Sequence, residues 1–155
     1  MDDLRVPKRP VSVEVLLPGA GARRMALYLA GAAVDHEGPE RPRDLLEGGL
    51  AFIPALDEES GAMTFLHRRG LLAIRVDRAL DADEEEVTLP TEHEVEVLLD
   101  DGTLLPGLVS YVRPPDRSRL LDVLGEAPAF LRLLQGDQVT YVNTRHVVRV
   151  ALASR

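Results

Sequence analysis

The sequence contains no cysteine and no tryptophan, and only three phenylalanines and three tyrosines occur among its 155 residues. The absence of cysteine excludes a disulfide framework, a thiol nucleophile and a zinc site built on thiolates. No apolar run approaches the roughly 20 residues of a membrane-spanning helix. The first residues also lack the apolar segment of a signal peptide, so we expect a cytoplasmic protein that does not associate with membranes.

Acidic charge is concentrated in one short stretch of a chain whose formal net charge is −8. Residues 77–92 contain one basic and seven acidic side chains, a balance of −6. The flanking segments 1–76 (10 basic, 11 acidic) and 93–155 (7 basic, 8 acidic) each balance at −1. Because like charges repel and stay solvated, residues 77–92 are predicted to be an acidic linker. The alternative interpretation is an acidic docking segment for a basic partner.

The segments on either side of this linker are similar to each other. Three blocks match in the same order, at separations of 82, 78 and 76 positions: residues 13–17 with 95–99, 41–46 with 119–124, and 64–66 with 140–142. The last separation also aligns Arg69 with Arg145. The separations change only where loops are expected, so we predict a duplicated unit, with repeats at 11–76 and 93–153.

Each repeat is predicted to contain five short strands and one short helix. Val95, Val97 and Leu99 alternate with Glu94, Glu96 and Leu98, which is the period of a half-buried strand. Gly102 follows an aspartate in a hairpin signal, and Gly107 indicates a bend or bulge in the next strand. The predicted strands are 11–17, 24–34, 51–56, 62–67 and 71–76, then 94–99, 104–112, 130–134, 139–142 and 147–152, with helices at 42–47 and 118–125.

This order of elements is typical of a small β-barrel of the SH3 or Sm type. One such unit buries little apolar surface and is only marginally stable alone. Two copies are therefore expected to share a core and to cover each other's strand edges. The predicted fold class is therefore mainly β, with two tandem five-stranded barrels packed as a pseudo-symmetric pair. The alternative architecture is one continuous sheet shared by both repeats.

Two polar patterns stand out in the second repeat. An Arg-x-x-Asp-x-Leu block at 119–124 precedes a Val-Asn-x-x-His-Val ending at 142–147. Together they resemble a family of small bacterial domains of unknown function, a resemblance that implies no known activity. The first repeat departs from this ending, with His67 and Gly70 in place of the asparagine and the histidine. The broader likeness to Sm-like barrels implies a precedent for ring formation or RNA binding.

The sequence offers no catalytic constellation. No serine lies in a nucleophile elbow, and the four histidines lack the spacing of metal ligands. We therefore expect no enzymatic activity, no metal and no cofactor. His67 and His146 flank the last turn of their repeats and could approach a shared surface.

One arginine and one aspartate recur three positions apart in both repeats, as Arg41 with Asp44 and as Arg119 with Asp122. Groups at this spacing lie on the same face of a helix. We interpret them as structural polar pairs that hold the helices in place. The alternative is a paired binding feature on each barrel.

We interpret the chain as a non-enzymatic interaction or scaffold protein. Its expected partner is another protein, bound at a sheet edge or in the groove between the barrels, and self-association is a further expectation. The alternative is a regulator that binds a nucleotide or RNA, although the near-neutral flanks and the few aromatic residues disfavour nucleic acid. Its candidate ligand-binding residues are Arg5, Arg9, Arg23, Arg24, Arg68 and Arg69.

Arg5 and Arg9 form an R-x-x-x-R arm just before the first predicted strand. This arm resembles the start of PilZ domains, which bind cyclic di-GMP, and guanidinium groups suit phosphates and guanine edges. The second motif of that family, Asp/Asn-x-Ser-x-x-Gly, is absent from this sequence. The alternative interpretation is a basic chain terminus without fixed structure.

Overall fold

The described residues form one antiparallel sheet of ten strands with two short helices. The computed structural model describes residues 8–31, 33, 38–81, 90–112, 119–126 and 129–153. The first five strands are β1 (Lys8–Leu17), β2 (Gly21–Ala30), β3 (Phe52–Asp57), β4 (Met63–His67) and β5 (Ala73–Asp77). The second five are β6 (Thr91–Leu99), β7 (Leu104–Tyr111), β8 (Phe130–Gln135), β9 (Gln138–Asn143) and β10 (Val147–Leu152). Helix α1 (Pro42–Glu47) follows β2, and helix α2 (Leu120–Gly125) follows β7.

The strand order across the sheet is β10-β6-β7-β8-β9-β5-β1-β2-β3-β4. The first half of the chain contributes β5-β1-β2-β3-β4, and the second half contributes its five strands in the same relative order. Antiparallel pairing of β5 with β9 joins the halves, with Ala73 opposite Val142 and Asp77 opposite Gln138. We call this junction the seam. Among the described residues the sheet is open, so β4 and β10 are its edge strands.

The mainly β fold is confirmed, but the predicted pair of closed barrels is not. The observed sheet corresponds to the continuous-sheet alternative, because β5 pairs with β1 on one side and with β9 on the other. A strand edge presents unpaired N–H and C=O groups. Where β5 pairs with β9, the N–H and C=O groups of each strand bond to the other strand, so neither half has an open edge there.

The apolar core consists of two clusters, and each cluster takes residues from both halves. The cluster built mainly on the first half also contains Phe130, Leu134, Val139 and Tyr141. The cluster built mainly on the second half also contains Leu16, Leu72 and Ala73. The halves therefore share their core, as expected for units too small to bury enough apolar surface alone.

The alternating pattern that predicts β6 is explained by burial. Val95, Val97 and Leu99 are buried, whereas Glu94 and Glu96 are exposed on the opposite face. The turn that follows has Gly102 at φ +91°, and the Asp101 side chain accepts a hydrogen bond from the Thr103 N–H at 3.0 Å. A positive φ favours glycine, so this tight hairpin depends on the Asp-Gly pair.

The predicted acidic linker is partly folded into the core. Residues 78–80 form a 3-10 turn, and the Asp81 side chain is fully buried. Its carboxylate lies 2.7 Å from Nε of Arg132 and 3.7 Å from Nε of Arg43. The expectation of a solvated linker is therefore wrong for Asp81, because opposite charges compensate its loss of water. Residues 82–89 of the same prediction lie outside the described residues.

Gly107 lies where β7 passes close to β8. A Cβ atom there would be 2.6 Å from Cγ of Leu133 and 2.6 Å from the backbone oxygen of Leu134. We predict that Gly107→Ala lowers the free energy of unfolding by about 1–3 kcal/mol, because overpacking forces neighbouring atoms to move. Urea unfolding followed by circular dichroism measures the change.

Gly31→Ala is the matched control, since no described atom lies within 4 Å of a Cβ added at Gly31. Its free energy of unfolding should stay close to that of the unmodified chain. Equal stability of the two variants would contradict the close approach of β7 and β8 at Gly107.

Candidate functional site: a basic pocket at the seam

A pocket of about 720 Å³ opens where the loop between β4 and β5 meets the 3-10 turn between β9 and β10. This volume is within the range of small-molecule sites, about 300–1,000 Å³. The lining residues are Gly49, Ala51, His67, Arg68, Arg69, Gly70, Arg145 and His146. Three arginines and two histidines line the pocket, and no described aspartate or glutamate does. The pocket is therefore a concentration of basic groups in an acidic chain.

Asn143 at the end of β9 holds the two sides of the pocket together. Its buried side-chain amide donates hydrogen bonds to the carbonyl oxygens of Arg69 at 3.0 Å and Leu71 at 2.8 Å. Its side-chain oxygen accepts a hydrogen bond from the N–H of Arg145 at 3.1 Å. One side chain therefore fixes both the loop that presents Arg69 and the turn that presents Arg145.

His146 makes a second connection across the seam. Its Nε2 lies 3.1 Å from the carbonyl oxygen of Arg69, and its Nδ1 lies 2.9 Å from the carboxylate of Asp100. The ring is therefore held at both nitrogens, from the first half of the chain and from the turn after β6. His146 forms part of the pocket wall and also positions Arg69.

The three arginines of the pocket differ in their contacts. The Arg68 guanidinium donates hydrogen bonds to the carbonyl oxygens of Leu46 and Gly48, so it fastens the end of α1 to the pocket. Arg69 and Arg145 are exposed, and no side-chain hydrogen bond or ion pair to the rest of the described chain is found for either. Their guanidinium groups can therefore turn toward a ligand.

One pocket residue, His67, belongs to an aromatic pair with Phe52. The rings of Phe52 and His67 are 5.0 Å apart in an edge-to-face arrangement with an interplanar angle of 75°. Phe52 is 54% exposed although it belongs to a strand. An exposed aromatic face beside a basic pocket is suited to stacking against a flat ring.

The structure brings two of the six candidate ligand-binding arginines, Arg68 and Arg69, into this pocket. Arg9 and Arg24 are exposed on β1 and β2, away from it, and Arg5 lies outside the described residues. Arg145 was not among the candidates. Its alignment with Arg69 at a separation of 76 positions was the one sequence signal that pointed to it.

Arg23 is also distant from the pocket and belongs to an ion-pair cluster. Its guanidinium lies 2.7 Å from the buried Asp57 carboxylate and 3.3 Å from Glu59. Arg24 donates a hydrogen bond to the Ser12 hydroxyl at 3.1 Å. Neither arginine is therefore part of the candidate site.

The repeated arginine and aspartate pairs lie at the first turn of each helix. The Arg41 side chain approaches the Asp44 carboxylate at 3.3 Å, and the same carboxylate accepts a hydrogen bond from the Arg41 N–H at 2.7 Å. Arg119 and Asp122 make the same side-chain contact at 3.3 Å, at a more exposed position. Arg41 and Asp44 form reciprocal contacts at the start of α1, as in a capping box.

Comparison of the chain with models of protein families, with curated proteins and with solved structures finds no match.

The described residues contain no cluster of three or more His, Asp or Glu side chains arranged to hold a metal ion. Neither of their two α-helices, each six residues long, has the length and apolar character needed to cross a membrane.

Asp57 makes stability depend on pH. Burial of its carboxyl is the largest single influence on the pKa and raises it. Hydrogen bonds from Arg23 and from the N–H groups of Glu59 and Ser60 lower the pKa, as does the positive charge of Arg23. Together these lowering effects exceed the effect of burial, so the pKa of Asp57 lies below its usual value. A lowered pKa stabilises the fold above the unfolded-state pKa of about 3.9, and this contribution is lost as the pH falls toward the folded-state value. We predict that Asp57→Asn is less stable than the unmodified chain at pH 7 and that the difference shrinks at lower pH.

Urea unfolding at a series of pH values between neutral and acidic measures this difference. Asp137→Asn changes an exposed carboxylate on another turn and serves as the control. A stability difference for Asp57→Asn that is independent of pH would contradict the contribution of this ion pair.

Asn143 gives a test of how the pocket is built. We predict that Asn143→Ala lowers the free energy of unfolding by about 1–3 kcal/mol, because the carbonyl groups of Arg69 and Leu71 lose a buried donor. Asn143→Asp should have a similar effect, since it keeps the acceptor for the Arg145 N–H but loses both donors. Full stability of Asn143→Asp in urea unfolding would show that the amide donors do not hold the loop.

Proposed function

We propose that the protein is a non-enzymatic binding module whose seam pocket holds the phosphate groups of a nucleotide or a short RNA. The observation that carries this proposal is the convergence of Arg69 and Arg145, both exposed and both without a described partner, on a pocket that no described carboxylate lines. The two residues belong to different halves of the chain. The complete site therefore needs the seam.

Phosphate is the ligand chemistry that fits these groups. Guanidinium groups form charge-assisted, bidentate hydrogen bonds with phosphate oxygens, and two of them from opposite sides can hold one anion. The net charge of −8 repels anions from most of the surface. A local basic cleft then concentrates an anionic ligand at one place.

A base attached to the phosphate has a surface to contact. His67 lines the pocket and contacts the exposed ring of Phe52, and a base stacked on an exposed aromatic ring contributes about 1–3 kcal/mol. Stacking is tolerant of base identity, so this pair favours a nucleotide or single-stranded RNA over inorganic phosphate alone. The whole chain has few aromatic residues, but stacking needs only the rings beside the pocket, and His67 and its neighbour Phe52 supply two.

We also propose that the chain arose by duplication of one unit. The common strand order of the two halves and the three matching sequence blocks support a duplicated small-barrel unit of SH3-like or Sm-like character. In that view the pocket lies where the ends of two such units meet. Arg69 and Arg145, the two pocket arginines without a described side-chain partner, come from positions that align at a separation of 76.

A protein partner at a sheet edge is the second candidate function. The observation in its favour is that both edge strands, β4 and β10, carry exposed apolar side chains. An added strand would supply main-chain hydrogen bonds there.

The proposal is tested by calorimetric titration of the chain with pyrophosphate, ATP, GTP and RNA oligonucleotides of about eight nucleotides. We expect the nucleotides or the RNA to bind, with affinity that falls as salt concentration rises. Arg69→Ala and Arg145→Ala should each weaken binding at least about tenfold, because a hydrogen bond to a charged group contributes about 1.5–3 kcal/mol.

Arg24→Ala is the matched control, since Arg24 is an exposed arginine of the first half that lies outside the pocket. Its affinity should equal that of the unmodified chain. Binding by pyrophosphate alone would restrict the site to phosphate recognition. Absence of binding by every probe, or equal weakening by all three substitutions, would overturn the proposal.

A further inference from the structure

Both edges of the open sheet carry apolar side chains in contact with solvent. On β4, Met63 is 51% exposed and Phe65 is 65% exposed. On β10, Val148 is 62% exposed and Leu152 is 65% exposed. Natural edge strands are usually protected by lysine, proline or inward-pointing charges, yet β4 contains no proline and no Asp, Glu, Lys or Arg. β4 is therefore suited to pairing with another strand, and β10 has a single charged side chain, that of Arg149.

Each of these four residues has a buried counterpart at the seam. The separation of 76 positions that aligns the ends of the two halves pairs Met63 with Val139, Phe65 with Tyr141, Leu72 with Val148 and Val76 with Leu152. The seam members of these pairs are Val139, Tyr141, Leu72 and Val76, and each is at most 3% exposed. At the seam they lie on β5 and β9 or directly beside them, where the two strands pair. Their aligned counterparts on β4 and β10 have no such neighbouring strand among the described residues.

The backbone of β4 is also ready to pair. The Asp57 N–H donates to the oxygen of Ala62, and the Arg68 N–H donates to the oxygen of Ala51. Because alternate residues of an antiparallel strand bond to one neighbour, the N–H groups of Met63, Phe65 and His67 point away from β3. At the seam the equivalent N–H, that of Asn143, donates to the oxygen of Leu72 at 2.9 Å.

We propose that copies of this chain assemble head to tail, with β4 of one copy paired antiparallel to β10 of the next. The seam register, with Val139 opposite Val76 and Tyr141 opposite Ile74, sets the expected register of the new contact. Met63 then lies opposite Leu152 of the second copy, and Phe65 lies opposite Val150 of the second copy. The inference goes beyond ligand binding, since it needs neither Arg69 nor Arg145.

The contact is heterologous, because it joins two different edges of the same molecule. Such a contact leaves one β4 and one β10 free on every open chain of copies, so assembly continues until the rotation closes a ring or a filament forms. The register also brings His67 of one copy toward the 3-10 turn before β10 of the next. The new contact would therefore repeat the backbone pairing of the seam, with His67 in the place that Asn143 has there.

The experiment is sedimentation velocity and light scattering of the full chain over a range of concentrations. We expect species larger than the monomer that increase with concentration. Met63→Lys and Leu152→Lys should each give monomers, because each blocks one of the two edges. Leu121→Lys is the control, since Leu121 is 70% exposed on α2, away from both edges, and should leave assembly unchanged.

Mixing the two blocked variants separates this contact from a two-fold one. Met63→Lys keeps an intact β10 and Leu152→Lys keeps an intact β4, so the mixture should form a dimer and stop there. A chain that carries both Met63→Lys and Leu152→Glu should assemble again, because opposite charges then face each other across the strands. This rescue tests the register directly.

Three results would overturn the proposal: a monomer at every concentration, a dimer that persists in one blocked variant, or a mixture that stays monomeric. The substituted side chains are exposed in the monomer, so we expect the variants to fold. Circular dichroism of each variant checks this. Titration of a monomeric variant with nucleotide keeps the two proposals separate. An unmodified chain that stays monomeric but binds nucleotide contradicts assembly alone, and an unmodified chain that assembles but binds no nucleotide contradicts the pocket alone.

Discussion

The pairing of β5 with β9 is the contact on which the rest of the structure depends. It satisfies two strand edges at once and buries both faces of the sheet where the halves meet. Each half then completes its core with side chains of the other. A separated half would leave Ile74 and Tyr141 at an open edge and lose part of its cluster, a large cost for a unit of marginal size.

The same pairing builds the pocket as a consequence. Antiparallel register places the end of β9 beside the start of β5, so the loop carrying Arg69 and the turn carrying Arg145 become neighbours. Asn143 and His146 then fix that arrangement through backbone carbonyl groups. The site needs no conformational rearrangement to bring its basic groups together, and a preorganised site loses less entropy on binding.

The composition of a segment did not predict burial where distant residues of opposite charge compensate its charges. The density of carboxylates around Asp81 predicted solvent, yet Arg132 and Arg43 come from distant elements to surround it. The candidate arginines show the same limit. Arg23 and Arg69 are indistinguishable by residue type, but one is neutralised by Asp57 and the other faces a pocket. Partners far apart in sequence decide both outcomes, and no local pattern contains them.

Local order was determined by the sequence itself. Alternating apolar residues predicted β6, and the Asp-Gly pair before Thr103 predicted the turn that follows it, because strand period and turn chemistry are short-range properties. The predicted strand at 24–34 is observed at Gly21–Ala30, and pairing of β6 with β7 runs without a register shift through Gly107, where a bend or bulge was predicted. Only the tertiary structure decided that the strands form one sheet instead of two closed units. That choice depends on which edges meet, and edge pairing is a contact between residues some 70 positions apart, such as Ile74 and Tyr141.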